Sequence, residues 1–296
     1  MNKKFSFYLL IALIAVINSH SSVISQKNDF RTPKRIKETT IFKNKHERNK
    51  ENEERSKNKI YSRNIVMDPV LSKVNPNINF PIGLLIIDID NDTEQTCTAS
   101  VINTENGNIG LTSAHCLIND NGTTFDPKDI SFSPGYDNQE GPLGTVNVED
   151  FAIPSLHFLE PLIEDYALVK FAFTDPNGAR LQDHTGGLGW RFDIRNNTLT
   201  NVFGYSGSDD WVNCTKDGYH LCEWQGNVQD EEVFYIIDGI DLGKGASGSP
   251  MIFQYNRTEN LGYVYSVYKG LIENTYESFA PVLDEDIFIQ LVLRLS

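Results

Sequence analysis

The sequence predicts an all-β body, and three observations carry that expectation. Short apolar runs recur along the chain, clusters of turn residues separate them, and a helix-length apolar period is absent until the C-terminus. Many short strands with frequent turns form a barrel or a sandwich. Each strand covers part of a core, and the chain must reverse before the next one.

The first segment stands outside that body. Lys3 and Lys4 precede a largely apolar 13-residue run, residues 5–17, and Asn18, Ser19, His20, Ser21 and Ser22 follow it. A short apolar run between basic and small polar residues has the pattern of a secretory signal. The run falls short of the roughly 20 residues that cross a bilayer. Residues 1–22 are read as this signal, with cleavage between about residues 19 and 26. The reading is of a secreted chain with no membrane attachment once the signal is removed.

Residues 23–64 differ in composition from everything after them. Residues 1–64 hold 15 Lys/Arg and 6 Asp/Glu, a balance of +9, and residues 65–296 hold 11 and 34, a balance of −23. Residues 43–59 are nearly all charged or Asn, so they are expected to be disordered alone. A basic run in a secreted precursor reads as a removable propeptide, and its charge favours docking on the acidic body. Ser62-Arg63-Asn64-Ile65-Val66 marks the boundary. A processing peptidase cutting after Arg63 or Asn64 would leave Asn64 or Ile65 first, although Ile65-Val66 also reads simply as the start of a strand. The acidic body and the signal together argue against nucleic acid as a partner.

Within residues 65–296, residues 82–87, 167–171, 233–237 and 263–267 read as strands. Asn106-Gly107, Asp120-Asn121-Gly122 and Asp175-Pro176-Asn177-Gly178 read as turns. In residues 284–295, Ile287, Phe288, Leu291, Val292 and Leu295 fall near i, i+4 spacing on one face of a helix. Asp284 or Asp286 suits its N-terminus. Four cysteines, Cys97, Cys116, Cys214 and Cys222, fit two disulfides among three possible pairings. No CxxC pair is present, so a zinc site is discounted. Five glycosylation sequons stand at Asn91, Asn121, Asn196, Asn213 and Asn256, each among polar turn residues.

Three motifs carry the chemistry. They are Leu111-Thr112-Ser113-Ala114-His115-Cys116, Asp165-Tyr166-Ala167-Leu168-Val169 and Gly245-Ala246-Ser247-Gly248-Ser249-Pro250. A serine hydroxyl attacks a carbonyl only when a base takes its proton, and the base needs an acid to orient it. Singly, each motif has an ordinary reading: a turn, a core histidine, the end of a strand. Together they supply His115, Asp165 and Ser247 in that chain order, and chain order separates the unrelated folds that carry such triads.

Over about residues 81–281 the chain resembles the chymotrypsin-like (trypsin-like) serine peptidases. Cys97-Thr98-Ala99-Ser100-Val101-Ile102 followed by Thr112-Ser113-Ala114-His115-Cys116 is similar to the family's first-barrel block, and Gly204-Tyr205 falls where the family usually has Gly-Tyr. The resemblance implies a Cys97–Cys116 bridge, which leaves Cys214–Cys222. It implies two six-stranded antiparallel barrels, the first over about residues 65–175 and the second over about 176–283. The crossover is placed near residues 174–183. A C-terminal helix, residues 284–295, would pack on the second barrel. His115 and Asp165 would come from the first barrel and Ser247 from the second. The Gly245 and Ser247 backbone N–H groups would form the oxyanion hole, with no metal or other cofactor. Substrates would be proteins or peptides, and a monomer is expected.

One position departs from the trypsin pattern. Ala246 precedes Ser247 where trypsin-type enzymes carry an aspartate that pairs with the amine freed by activation. Ala246 cannot form that pair, so the loop resembles the glutamyl-endopeptidase-like branch more closely. Asp241, Ser266 and Tyr268 are the residues placed at the specificity pocket. Lys244 and Lys269 would favour acidic substrates and Asp241 basic ones, unless all three simply face solvent. The rival reading is a catalytically silent secreted glycoprotein of the same fold that acts as a binding module.

Overall fold

The computed structural model describes residues 65–72, 80–90, 93–207 and 213–296, all within one unit, Lys57–Ser296. The signal and propeptide assignments, 1–22 and 23–64, and the Asn91 sequon lie outside the described residues.

Six strands close the first barrel. They are β2 (Ile82–Asp90), β3 (Thr93–Val101), β4 (Ile109–Thr112), β5 (Ile130–Pro134), β6 (Val146–Ala152) and β7 (Ala167–Phe171), in the order β2-β3-β4-β7-β6-β5. Side chains alternate across a strand, and this sorts the apolar run of β2 between two cores. Leu85 and Ile87 enter the barrel interior with Val101, Phe132, Val169 and Phe171, where Phe132 and Phe171 stack at 4.6 Å. Ile82 and Leu84 point the other way, into a cluster shared with Phe203, Ile252 and Val264 of the second sheet. Burial on both faces explains why residues 82–87 read as a continuous apolar run rather than an alternating one.

The second sheet has nine strands. It runs β14-β15-β11-β10-β9-β12-β13-β8, with β1 (Ile65–Leu71) added on β10. Its members are β8 (Gly189–Trp190), β9 (Thr198–Gly204), β10 (Cys222–Asp230), β11 (Phe234–Asp238), β12 (Pro250–Asn256), β13 (Leu261–Val267), β14 (Gly270–Ile272) and β15 (Glu277–Pro281). β13 pairs with β12, whereas β14, only two residues later, pairs with β15 at the far edge. Tyr268 N–H donates to Ser249 O and Lys269 N–H to Phe279 O. The chain thus crosses between the two edges and curls the sheet around Val202, Trp224, Tyr235, Met251 and Tyr265. The architecture is chymotrypsin-type and mostly β, as the sequence predicts. The nine strands exceed the six expected for the second barrel, with β8 at one edge, and β1 extends the sheet although its residues fall in the range assigned to the first barrel.

The C-terminal helix packs more widely than the expected contact with the second barrel. After a five-residue helix, α1 (Leu181–Thr185), α2 covers Glu285–Leu295, with the Asp284 carboxylate capping it by accepting from Ile287 N–H at 2.9 Å. It packs on β6 and β7 of the first barrel and also reaches β8 of the second sheet. Phe288 makes both contacts. Its fully buried ring meets Tyr166, next to β7, along with Trp190 and Phe192.

Candidate active site

Strand register brings His115 and Asp165 to one rim. β4 and β7 run antiparallel with Thr112 opposite Ala167, so residues just after β4 and just before β7 emerge side by side. His115 follows β4 in a single 3₁₀ turn, Ala114–Leu117. The Cys97–Cys116 disulfide ties that turn back to β3. The Asp165 carboxylate receives the His115 backbone N–H at 2.9 Å and lies 2.7 Å from its Nδ1. With Oδ2 as acceptor, Nδ1 carries the proton and Nε2 is the free base. Asp165 is fully buried, while about a third of the His115 side chain is exposed.

The loop over residues 245–250 is held by the first barrel. Thr98 of β3, next to Cys97, donates its backbone N–H to Ser247 O at 2.7 Å and its hydroxyl to Gly245 O at 3.0 Å. The same hydroxyl accepts from Tyr205 N–H at 3.2 Å. Gly248 N–H and the Ser113 hydroxyl both donate to Tyr268 O at 2.9 Å, so the loop sits against the residue two before His115. Glycine is required here for two reasons. Gly245 and Gly248 have φ of +84° and +83°, and a Cβ on either would lie 2.3 Å from Tyr205 O or 2.1 Å from Thr98 O. Ala246 packs in the second core. Neither Gly245 N–H nor Ser247 N–H has an acceptor among the described residues. No hydrogen bond joins Ser247 Oγ to His115 among those residues; such bonds are often long before substrate arrives.

Burial and two donors act in opposite directions on Asp165. Burial alone would push its carboxyl up. The His115 hydrogen bond and charge, with the Lys269 ammonium, outweigh burial and hold it well below the usual carboxylate range. Lys269 Nζ lies 2.5 Å from Asp165 Oδ2 and its side chain is only 14% exposed. This overturns the expectation that Lys269 faces solvent or a substrate pocket. Nearby, His157 is buried with Nδ1 3.1 Å from Glu164 O, and burial pushes its imidazole down.

The other sequence-stated residues fall as follows. Asp241 accepts from Gly243 N–H at 2.8 Å and lies 3.4 Å from the Tyr268 hydroxyl. Ser266 donates to Pro281 O at 2.5 Å. Ser266 and Tyr268 are buried, and Lys244 is exposed. Cys97–Cys116 and Cys214–Cys222 form the two disulfides. Both sulfurs of the first lie within 4.8 Å of a His115 ring nitrogen, a spacing that would suit a metal, but the S–S bond leaves no thiolate to ligate one. Asn121, Asn196, Asn213 and Asn256 are all exposed. Lys269 and Thr98 are the contributors that motif reasoning missed. Thr98 follows Cys97 directly, but nothing in its type or spacing announces a contact 147 residues away.

Solved structures similar to this chain are serine proteases. A thermostable serine protease from an extremophilic microorganism is 18% identical, with TM-score 0.62, covering 74% of this chain and 98% of its own. A Glu endopeptidase is 20% identical, with TM-score 0.60, covering 78% and 99%. A scabies mite inactivated protease paralogue is 16% identical, with TM-score 0.55, covering 77% and 97%. The fold is therefore that of the chymotrypsin-like serine proteases. No protein-family model matches the sequence, and no curated protein matches it.

Proposed function

We propose that this chain is a secreted serine endopeptidase made as a precursor, with residues 1–22 as signal, 23–64 as propeptide and 65–296 as the peptidase domain. The observation that carries the reading is the His115–Asp165 pair, with both carboxylate oxygens engaged by one histidine, on the rim where Thr98 and Ser113 anchor the Ser247 loop. In this reading Ser247 Oγ attacks a peptide carbonyl and His115 Nε2 takes its proton. The tetrahedral oxyanion rests on the Gly245 and Ser247 N–H groups. His115 then returns the proton to the leaving amine, and water repeats the cycle on the acyl-enzyme. Asp165 keeps the imidazole in the required tautomer and balances its charge. Two disulfides fit an oxidising compartment.

Ala246 in the apolar core supports activation that does not use a trypsin-type ion pair. A processing peptidase acting near Arg63-Asn64 would free β1 at Ile65. The buried, internally bonded states of Ser266 and Tyr268 favour neither acidic nor basic substrates. A second reading, a silent binding module, draws on one observation: Lys269 shares the oxygen that would stabilise protonated His115. Mature protein incubated with casein separates the two. Hydrolysis blocked by a serine-directed inhibitor is expected, and its absence from correctly processed protein would favour the binding module.

A further inference from the structure

Lys269 has no role in the reaction steps above, yet it occupies the centre of the site. Its ammonium and His115 Nδ1 converge on one atom, Asp165 Oδ2, at 2.5 and 2.7 Å. The two nitrogens therefore lie no more than about 5 Å apart, close enough for strong mutual repulsion when both are charged. The lysine is not free to turn away. Its side chain is mostly buried, its backbone N–H is fixed on Phe279 O, and Nζ lies 5.9 Å from the Phe279 ring centroid.

We propose that Lys269 is a positioning residue that locks the Asp165 carboxylate toward His115 and weakens it as a counter-ion for the protonated imidazole. The inference rests on the peptidase reading. Two consequences follow from one contact. The lock fixes both carboxylate oxygens, one on the His115 backbone N–H and one shared by His115 Nδ1 and Lys269 Nζ. The charge takes up part of the carboxylate's negative potential, so less of it is left to balance a protonated imidazole. Few other titratable groups face this pair. His157 is buried and its protonation is disfavoured, and Glu164 and Asp284 act on Tyr166 instead. Among the described residues, Asp165 is the carboxylate that pairs with the lysine.

The test compares Lys269→Met, which keeps an unbranched apolar stem against Phe279, with Lys269→Arg, which keeps the charge. The readouts are the acid limb of kcat/KM and the His115 ring titration followed by NMR. Met is expected to move both midpoints up by about one pH unit or more, because a cation within roughly 4–6 Å has been removed. Arg is expected to leave the midpoints near those of the parent. Unmoved midpoints in the Met variant, a downward movement, or an equal movement in both variants would overturn the proposal. A chain that proves inactive fails the peptidase reading alone, since the NMR titration still reads the lysine's charge.

Discussion

Thr98→Val tests how one hydroxyl couples the two halves of the site. The substitution keeps the shape of the side chain and the Thr98 N–H bond to Ser247 O, and removes only Oγ1. Thr98 is fully buried, so Gly245 O and Tyr205 N–H each lose a partner that water cannot readily replace. A buried polar group left unpaired costs about 1–3 kcal/mol, so the pair should cost about 2–6 kcal/mol in urea unfolding. The same loss frees Gly245, whose N–H is one of the proposed oxyanion donors. Losing such a donor outright costs about 10²–10³ in rate. A displaced donor should cost about 10–100-fold in kcat, with KM little changed. Stability within about 0.5 kcal/mol of the parent, together with an unchanged rate of phosphonylation at Ser247, would refute the coupling.

Two further outcomes are expected. Phe288→Ala should destabilise by about 3–5 kcal/mol, since the ring is fully buried against Tyr166, Trp190 and Phe192; a loss under about 1 kcal/mol would mean that α2 does not depend on that contact. Glu164→Gln should raise stability at alkaline pH. Burial holds the Glu164 carboxyl above its ordinary range, the Asp284 charge adds to this, and one carboxylate oxygen is buried without a partner. The folded chain thus binds that proton more tightly than the unfolded one. The stabilisation is complete below the ordinary value of 4.5 and is lost as pH rises through the elevated folded value. Thermal melts at about pH 4 and 8 should show a Gln advantage only at the higher pH; an equal advantage at both would contradict the burial argument.

The strands were legible where period and turn chemistry agreed. Residues 167–171 coincide with β7, and Asp284 caps the helix that the i, i+4 spacing outlines. The side on which α2 packs was not legible, because an amphipathic face says that a helix is covered and not by what. Phe288 bridges the two halves, meeting Tyr166 beside β7 and Trp190 of β8. His115 and Asp165 were legible as types in apolar surroundings, and the β4–β7 register turned that into a 2.7 Å contact. Lys269 was misread for a physical reason. A lysine near the end of a strand reads as exposed because burying its charge is costly, and only a fully buried carboxylate makes the burial tolerable. That carboxylate is 104 residues away in sequence.

The central claim is that Ser247 is a nucleophile activated by His115. Mature protein treated with a fluorophosphonate probe, with peptide mapping of the adduct, measures this directly. The account predicts one adduct per chain on Ser247, none on Ser247→Ala, and loss of protein hydrolysis in step with labelling. Labelling that persists undiminished in Ser247→Ala, or a correctly processed chain that takes up no probe, would contradict it.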